Sequence, residues 1–493
     1  MAGRRPGRSR GGASEAVRRA WREADHHAKV YVASEIAAMR VALSARVLLL
    51  LAALLLLVIA IQSSWQRGFV RAIPGTAIGG ESFANQLDLA VRGDTLHVLW
   101  RVSFTSSAGR PSRLLYIRSD DGGRHWGRPL TVGRDRGRVF SGATRLHVLE
   151  GRRLEHSLSA DGGRTWARTA ALATAQYGAR GCDGMCLGDT LLLAYLCPRG
   201  RDGDDWAVIQ PPGAPGRQPF FDLHVVRWDP SQRVTEQVVA SFPVHWWDPR
   251  SFVGLARSGD RLDVLAGVDD RESVPESTGY GVVRTLSSRA KLFLCSSEDR
   301  GAHWGAPVEL LAGEGEVQGP FGAVAAWRGP ELLVGYSGDR LPRPRPPGGP
   351  APRIGFVEFA ADYPEHGSRT LDIAASGRDA VAVWITTALA GWSWAGFAEN
   401  PGDAMMIGMG WRQTDVFAAR IPGGSGLKRL GATSGLRLTG PRAHASSLRA
   451  AIVDGTLACV WAGRSKVGRS PFAYGAPAEL FCARVPVAVL PVE

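Results

Sequence analysis

The strongest constraint in this sequence is one eight-residue phrase that it uses three times. Ser159-Ala160-Asp161-Gly162-Gly163-Arg164-Thr165-Trp166 is matched by Ser119 to Trp126 and by Ser297 to Trp304. Ser119, Asp121, Gly123 and Trp126 keep the offsets of Ser159, Asp161, Gly163 and Trp166, and of Ser297, Asp299, Gly301 and Trp304. The phrase reads as a hairpin turn. Its aspartate can accept hydrogen bonds from the turn backbone, its second glycine supplies a positive φ at low cost, and its tryptophan returns the chain to a buried strand.

With four positions shared by all copies, the phrase resembles the Asp-box, or BNR, repeat of sialidase-like β-propellers. That resemblance implies an all-β Asp-box propeller in which the box joins the third and fourth strands of a blade. The box is then structural and not itself catalytic. The family also includes proteins without glycosidase activity, so the likeness speaks to architecture before chemistry.

The rest of the chain repeats in the same rhythm. Apolar segments at 94–100, 144–149, 189–195, 260–265, 331–336, 379–385 and 455–461 each follow a turn and read as buried strands. A second series follows at 114–119, 153–159, 222–228, 291–296, 353–359, 414–420 and 479–484, and every box directly follows a member of it. From residue 83 to 493 this predicts seven four-stranded blades. Six is the alternative if one unit is irregular.

The residues before the repeats have a different composition. The segment 1–46 carries ten Lys and Arg against four acids, a net of +6 out of +13 for the chain. The remainder is only mildly basic, so a nucleic-acid partner is not expected. The segment reads as a basic cytoplasmic tail with an amphipathic helix from Ser14, and 47–63 as a transmembrane helix centred on the apolar run Val47 to Ile61. The flanking charge then predicts a single-pass membrane protein with the N-terminus in the cytoplasm. A linker over 64–82 would lead to a propeller in the periplasm or outside the cell.

The longest insertions, 199–219, 268–289, 338–352 and 386–413, fall between the two strand series. In a propeller this connection lies on the face opposite the boxes, and a glycan or protein ligand is expected there. Candidate binding residues are Trp246, Trp247, Asp248 and Arg250, which could stack a sugar or plug a gap between blades, and Trp392, Trp394 and Trp411. The Pro-rich 341–352 reads as a stiff spacer.

The sialidase resemblance implies three arginines on a substrate carboxylate, an aspartate acid/base and a glutamate-activated tyrosine. Here the first-blade strand that should carry an arginine reads Asn85-Gln86-Leu87-Asp88, and the loop 102–113, where the acid/base should stand, has no carboxylate. Arg71-Ala72-Ile73-Pro74 reads as linker. The leading expectation is therefore a membrane-anchored binding or scaffolding propeller without sialidase activity. The alternative is a membrane-anchored exo-acting glycoside hydrolase drawing on Asp269, Asp270, Arg271 and Tyr280.

No phosphate loop, HExxH or Gly-x-Ser-x-Gly motif occurs, and no cofactor or metal is expected. Six cysteines in an extracytoplasmic domain permit disulfides, with Cys459 and Cys482 on neighbouring strands and Cys182, Cys186 and Cys197 clustered in the third unit.

Overall fold

The computed structural model has two units, residues 1–68 and 69–493. In the first, residues 22, 23, 26 and 29 are described. In the second, all are described except 78–81, 105–110, 170, 173–178, 180, 200–219, 232, 244–250, 276–282, 312–321, 338–352, 360–369, 387–413, 425, 432–434, 440–443, 465–478 and 493.

In the first unit Arg22, Glu23, His26 and Lys29 are helical and exposed. The expected membrane placement is corrected here. Among the described residues no helix is long and apolar enough to cross a membrane. The run 47–63 itself lies outside the described residues, so neither the anchor nor the sidedness drawn from it is supported.

The second unit is a β-propeller. Its middle strands are buried on both faces, so they read as continuous apolar runs rather than as alternating ones. In the third sheet Leu192, Ala194 and Leu196 turn to one side, and Leu191, Leu193, Tyr195 and Cys197 to the other. Each of the seven apolar clusters lies between two successive sheets, the one that joins first and seventh included. The sheets therefore close into a ring, with the described apolar faces packed against their neighbours.

Both predicted strand series occupy the second and third places of their sheets. The expectation of seven like blades is not supported, and the alternative of six regular blades beside one irregular unit is the one that fits. Six four-stranded sheets are antiparallel throughout, while the fifth is mixed. There Arg353–Phe359 runs parallel to Glu331–Ser337, and the outer strand Gly426–Leu430 comes from chain that follows the third strand of the sixth sheet. Apolar patterning marks a strand but not its direction, so the sequence could not reveal this.

The ring closes through the stretch read as linker. Val70–Ala72 is the outer strand of the seventh sheet, with Val70 opposite Ala483 and Ala72 opposite Phe481. Ile73 follows it into the core and donates its amide to Leu480 O at 2.8 Å. Joining the first strand to the last sheet ties the two ends of the unit together, a non-local contact that holds the ring shut.

The insertion expected over 268–289 is corrected as well. Arg261–Pro275 pairs with Val283–Ser297 far past the other hairpins, with Asp269 opposite Ala290, Asp270 opposite Arg289 and Arg271 opposite Ser288.

None of the six cysteines is joined to another in a disulfide. Cys459 lies opposite Ala483 and Val460 opposite Cys482, so the two thiols sit one register step apart and face different clusters. That geometry forbids a disulfide between them. Burial pushes the thiols of Cys186, Cys295 and Cys482 up to about 12, which keeps them protonated and unreactive.

Candidate functional site: the axial charged arc

The Asp boxes show what the repeated phrase does. In each, the serine Oγ donates to the aspartate Oδ1 at 2.8 Å and accepts the amide of the second glycine at 2.7–2.8 Å. The same Oδ1 accepts the amide of residue 125, 165 or 303 at 2.8–2.9 Å. These bonds hold the carboxyls below the usual range: Thr165, by hydroxyl and then amide, for Asp161, and His303, by amide and then ring, for Asp299. For Asp121 the largest influence is burial, which raises it, but the bonds from His125 prevail.

Each box also wedges against the preceding sheet. Arg118 Nη1 of the first sheet donates to Gly162 O at 2.7 Å, and Gln237 Nε2 of the third donates to Gly301 O at 3.0 Å. Gly123 lies against Cys482 of the seventh. The boxes are thus joints between sheets, with their carboxylates committed to their own turns.

The unspent chemistry is on the axis. Each sheet contributes an inner strand, and the pairing registers define one equivalent position on all seven: Asp88, Arg138, Asp183, Gly254, Val324, Asp372 and Arg449. Asp88 lies opposite Leu99, Asp183 opposite Ala194, Asp372 opposite Val383 and Arg449 opposite Val460. In ring order, from the sixth sheet through the seventh to the third, the charges run Asp372, Arg449, Asp88, Arg138, Asp183. The arc alternates in sign, and Gly254 and Val324 leave it open.

The links are direct. Arg449 Nε and Nη2 approach Asp88 Oδ1 at 2.7 and 2.6 Å, and Arg138 Nε lies 3.4 Å from Asp88 Oδ2. Arg138 Nη2 pairs with Asp183 Oδ1. Burial opposes charge on Arg138, but Asp88 and then Asp183 prevail and keep its guanidinium protonated.

Each aspartate also reaches the following sheet. Asp88 Oδ2 accepts the Val139 amide at 2.9 Å, Asp183 Oδ2 the Leu255 amide at 2.9 Å, and Asp372 Oδ2 the Ala450 amide at 3.0 Å. Asp88 and Arg449 are each only 4 % exposed, so the arc is sunk in the protein, where unpaired charge is costly.

The residues singled out by sequence do not assemble into a described site. Trp246, Trp247, Asp248, Arg250, Tyr280, Trp392, Trp394 and Trp411 lie outside the described residues, as do the side chains of Asp269, Asp270 and Arg271. The Pro-rich 341–352 is also outside them. Among the described residues no group of three or more His, Cys, Asp or Glu could hold a metal ion.

The arc escaped the sequence reading, although a signal for part of it exists. Asp88, Asp183 and Asp372 each stand five residues before the glycine, Gly93, Gly188 or Gly377, that turns the chain into the second strand.

No family model matches the chain, and neither does any curated protein. Among solved structures it is similar to the endosialidase of phage phi92, at 10% identity over 85% of this chain and 69% of that one, with a TM-score of 0.41. It is similar also to an α-L-arabinofuranosidase from Fusarium graminearum, at 9% identity over 84% and 98% of the two chains and a TM-score of 0.40. A neuraminidase-like protein from A/bat/Guatemala/164/2009 gives 9% identity over 84% and 92%, with a TM-score of 0.37. Likeness at this level carries no activity across, and the functional reading rests on the chain's own residues.

Proposed function

We propose that the propeller is a ligand-binding module of sialidase-like architecture that does not hydrolyse sialosides. The observation that carries this reading is the pairing of the axial arginines. A sialidase-type clamp needs guanidiniums free to grip a substrate carboxylate. Arg138 and Arg449 are instead held by Asp183 and Asp88, and the first inner strand offers Asp88 where the resemblance calls for an arginine.

A carboxylate ligand entering here would meet Asp88, Asp183 and Asp372, whose like charge disfavours it. Binding of a glycan or protein falls instead to the face with the long connections. That face is opposite the box turns, because in an antiparallel meander the third-to-fourth turn and the second-to-third connection lie at opposite ends.

The test is hydrolysis by the full chain of a panel of fluorogenic glycosides that includes a sialoside. No turnover above background is expected from folded protein. Turnover that an Asp269→Asn/Asp270→Asn double variant abolishes would overturn the reading and place acid chemistry on the long hairpin of the fourth sheet.

A further inference from the structure

One guanidinium beside the axis has no carboxylate to hold it. Arg101 lies on the second strand of the first sheet, opposite Asn85 on the inner strand and Leu114 on the third. It shares a face with Leu99, which packs with Val139, Leu146 and Val148, so it stands in the cleft between the first and second sheets. Three residues on, the strand ends at Phe104, on the face with the long connections. Among the described residues the one side-chain partner of Arg101 is Ser112, whose Oγ accepts from Nη2 at 3.1 Å. The connection 102–113 holds no acid to neutralise it. Asp88, the next residue on that face by register, is committed to Arg449, Arg138 and the Val139 amide.

The donors around Arg101 are unspent. Its Nε is buried without a hydrogen-bond partner, and so is the Oγ of Ser103, two residues along on the same face. Continuing the register in which Val102 lies opposite Arg113 puts Ser112 opposite Ser103, so the guanidinium reaches along the strand to a pair of hydroxyls. Ser112, having accepted from Arg101, keeps its own proton to give. A second observation, in the backbone, marks the same level. Between Asn85 and Asp88 the inner strand bulges, with Gln86 and Leu87 against Trp100 alone, and Gln86 is left-handed at a φ of 53°. Bulges and left-handed non-glycine residues collect at binding sites, where they re-aim side chains.

We propose that this cleft binds a sulfate monoester, so that the glycan taken up by the loop face is a sulfated one. The Arg101 Nε–H and the Ser103 and Ser112 hydroxyls all have a proton to donate, and a sulfate monoester brings three terminal oxygens on one negative charge. One guanidinium balances that charge. A phosphate monoester carries about −1.5 to −2 at neutral pH, more than Arg101 can offset in the neighbourhood of Asp88. The two-toothed grip that a planar carboxylate favours needs Nε and Nη2 together, and here Nη2 is engaged by Ser112. This is one arginine beside the axis, not three upon it, so it is no sialidase clamp. The sugar part of the inference rests on the reading of the loop face as the binding face, and the oxyanion part stands on Arg101 and its serines.

The experiment is calorimetric titration of the full chain at neutral pH with D-glucose 6-sulfate, beside D-glucose, D-glucuronate, D-glucose 6-phosphate and methyl sulfate. Glucose 6-sulfate is expected to bind at least about tenfold more tightly than glucose, glucuronate or the phosphate, and less tightly as salt rises. Methyl sulfate binding as tightly as glucose 6-sulfate would overturn the sugar part alone. Arg101→Met should weaken glucose 6-sulfate by about a hundredfold, and Arg101→Lys, which keeps the charge but loses the fork, by about tenfold.

Ser103→Ala removes a hydroxyl that bonds to nothing in the protein, so it should fold as the wild type does and weaken glucose 6-sulfate by about tenfold. Equal binding of glucose and glucose 6-sulfate, tighter binding of glucuronate or glucose 6-phosphate, or unchanged binding by folded Arg101→Met or Ser103→Ala would each overturn the proposal. None of these results depends on glycoside turnover, so this site and the non-hydrolytic reading fail separately.

Discussion

Acid is expected to destabilise the propeller well before its carboxylates titrate, by about 4 kcal/mol per pH unit at the steepest point, near about pH 5. The cause is three fully buried imidazoles. His97 Nδ1 lies 2.7 Å from the Tyr116 hydroxyl, and His147 Nδ1 lies 3.1 Å from His156 Nε2, with the Trp228 ring edge-on to both. His156 Nδ1 is 2.7 Å from Thr169 Oγ1. Burial lowers His97 and His156 to about 4 and His147 to about 3, with Arg92 and Arg118 adding to the effect at His97 and His156 adding to it at His147.

The sign follows from proton counting. Above the ordinary value of 6.5 both states are neutral and stability is full. Between 6.5 and about 4 the unfolded chain takes up three protons that the folded one refuses, and stability falls. Below about 3 the folded rings also titrate and the loss levels off. The box aspartates act in a lower window: their contribution is present above the ordinary carboxylate value and is lost as pH falls towards their depressed ones. Urea unfolding at a series of pH values measures the slope. A His147→Gln/His156→Gln double variant should retain about a third of it. A flat profile from pH 7 to about 4.5, or a wild-type slope in the double variant, would refute the account.

What the sequence disclosed depended on the range of the interaction. The boxes were legible because their bonds close within five residues, from Ser119 to Gly123 or from Asp121 to His125. Both strand series were legible because strands buried on two faces are written as unbroken apolar runs. Strand direction is not written locally, so the parallel pairing of Glu331–Ser337 with Arg353–Phe359 was hidden, and so was the transfer of Gly426–Leu430 to that sheet. Val70–Ala72 was hidden for a related reason: three residues make no pattern, and their partner begins more than 400 positions later.

The axial arc is the extreme case. Arg449 and Asp88 are separated by 361 residues, and only the pairing registers show that they share a level. An isolated Asp or Arg in a strand reads as solvated. Its meaning came from the six equivalent positions around it.

Gly163→Ala is expected to be the most damaging small substitution in the boxes, at about 3 kcal/mol or more, because two independent penalties coincide. The φ of Gly163 is 90°, a left-handed value that an L-residue adopts at a cost of about 1–2 kcal/mol. A Cβ there would also run into the ring and hydroxyl of Tyr116. Tyr116 has little freedom to retreat, since its hydroxyl lies 2.7 Å from His97 Nδ1 and its ring packs edge-on to Trp166 with centroids 5.1 Å apart. Overpacking against so fixed a neighbour costs about another 1–3 kcal/mol.

Gly93→Ala isolates the first penalty. Gly93 is also left-handed, at 56°, but an added Cβ would meet nothing within 4 Å, so about 1 kcal/mol is expected. Chemical unfolding of both variants at pH 7 separates backbone strain from the joint between sheets. If the two cost the same, Tyr116 yields and the box is an ordinary turn. If Gly163→Ala costs the larger amount, the box is a joint through which the second sheet is set against the first. The same reasoning predicts that damage at Gly163 spreads to His97, through Tyr116, and flattens part of the acid slope.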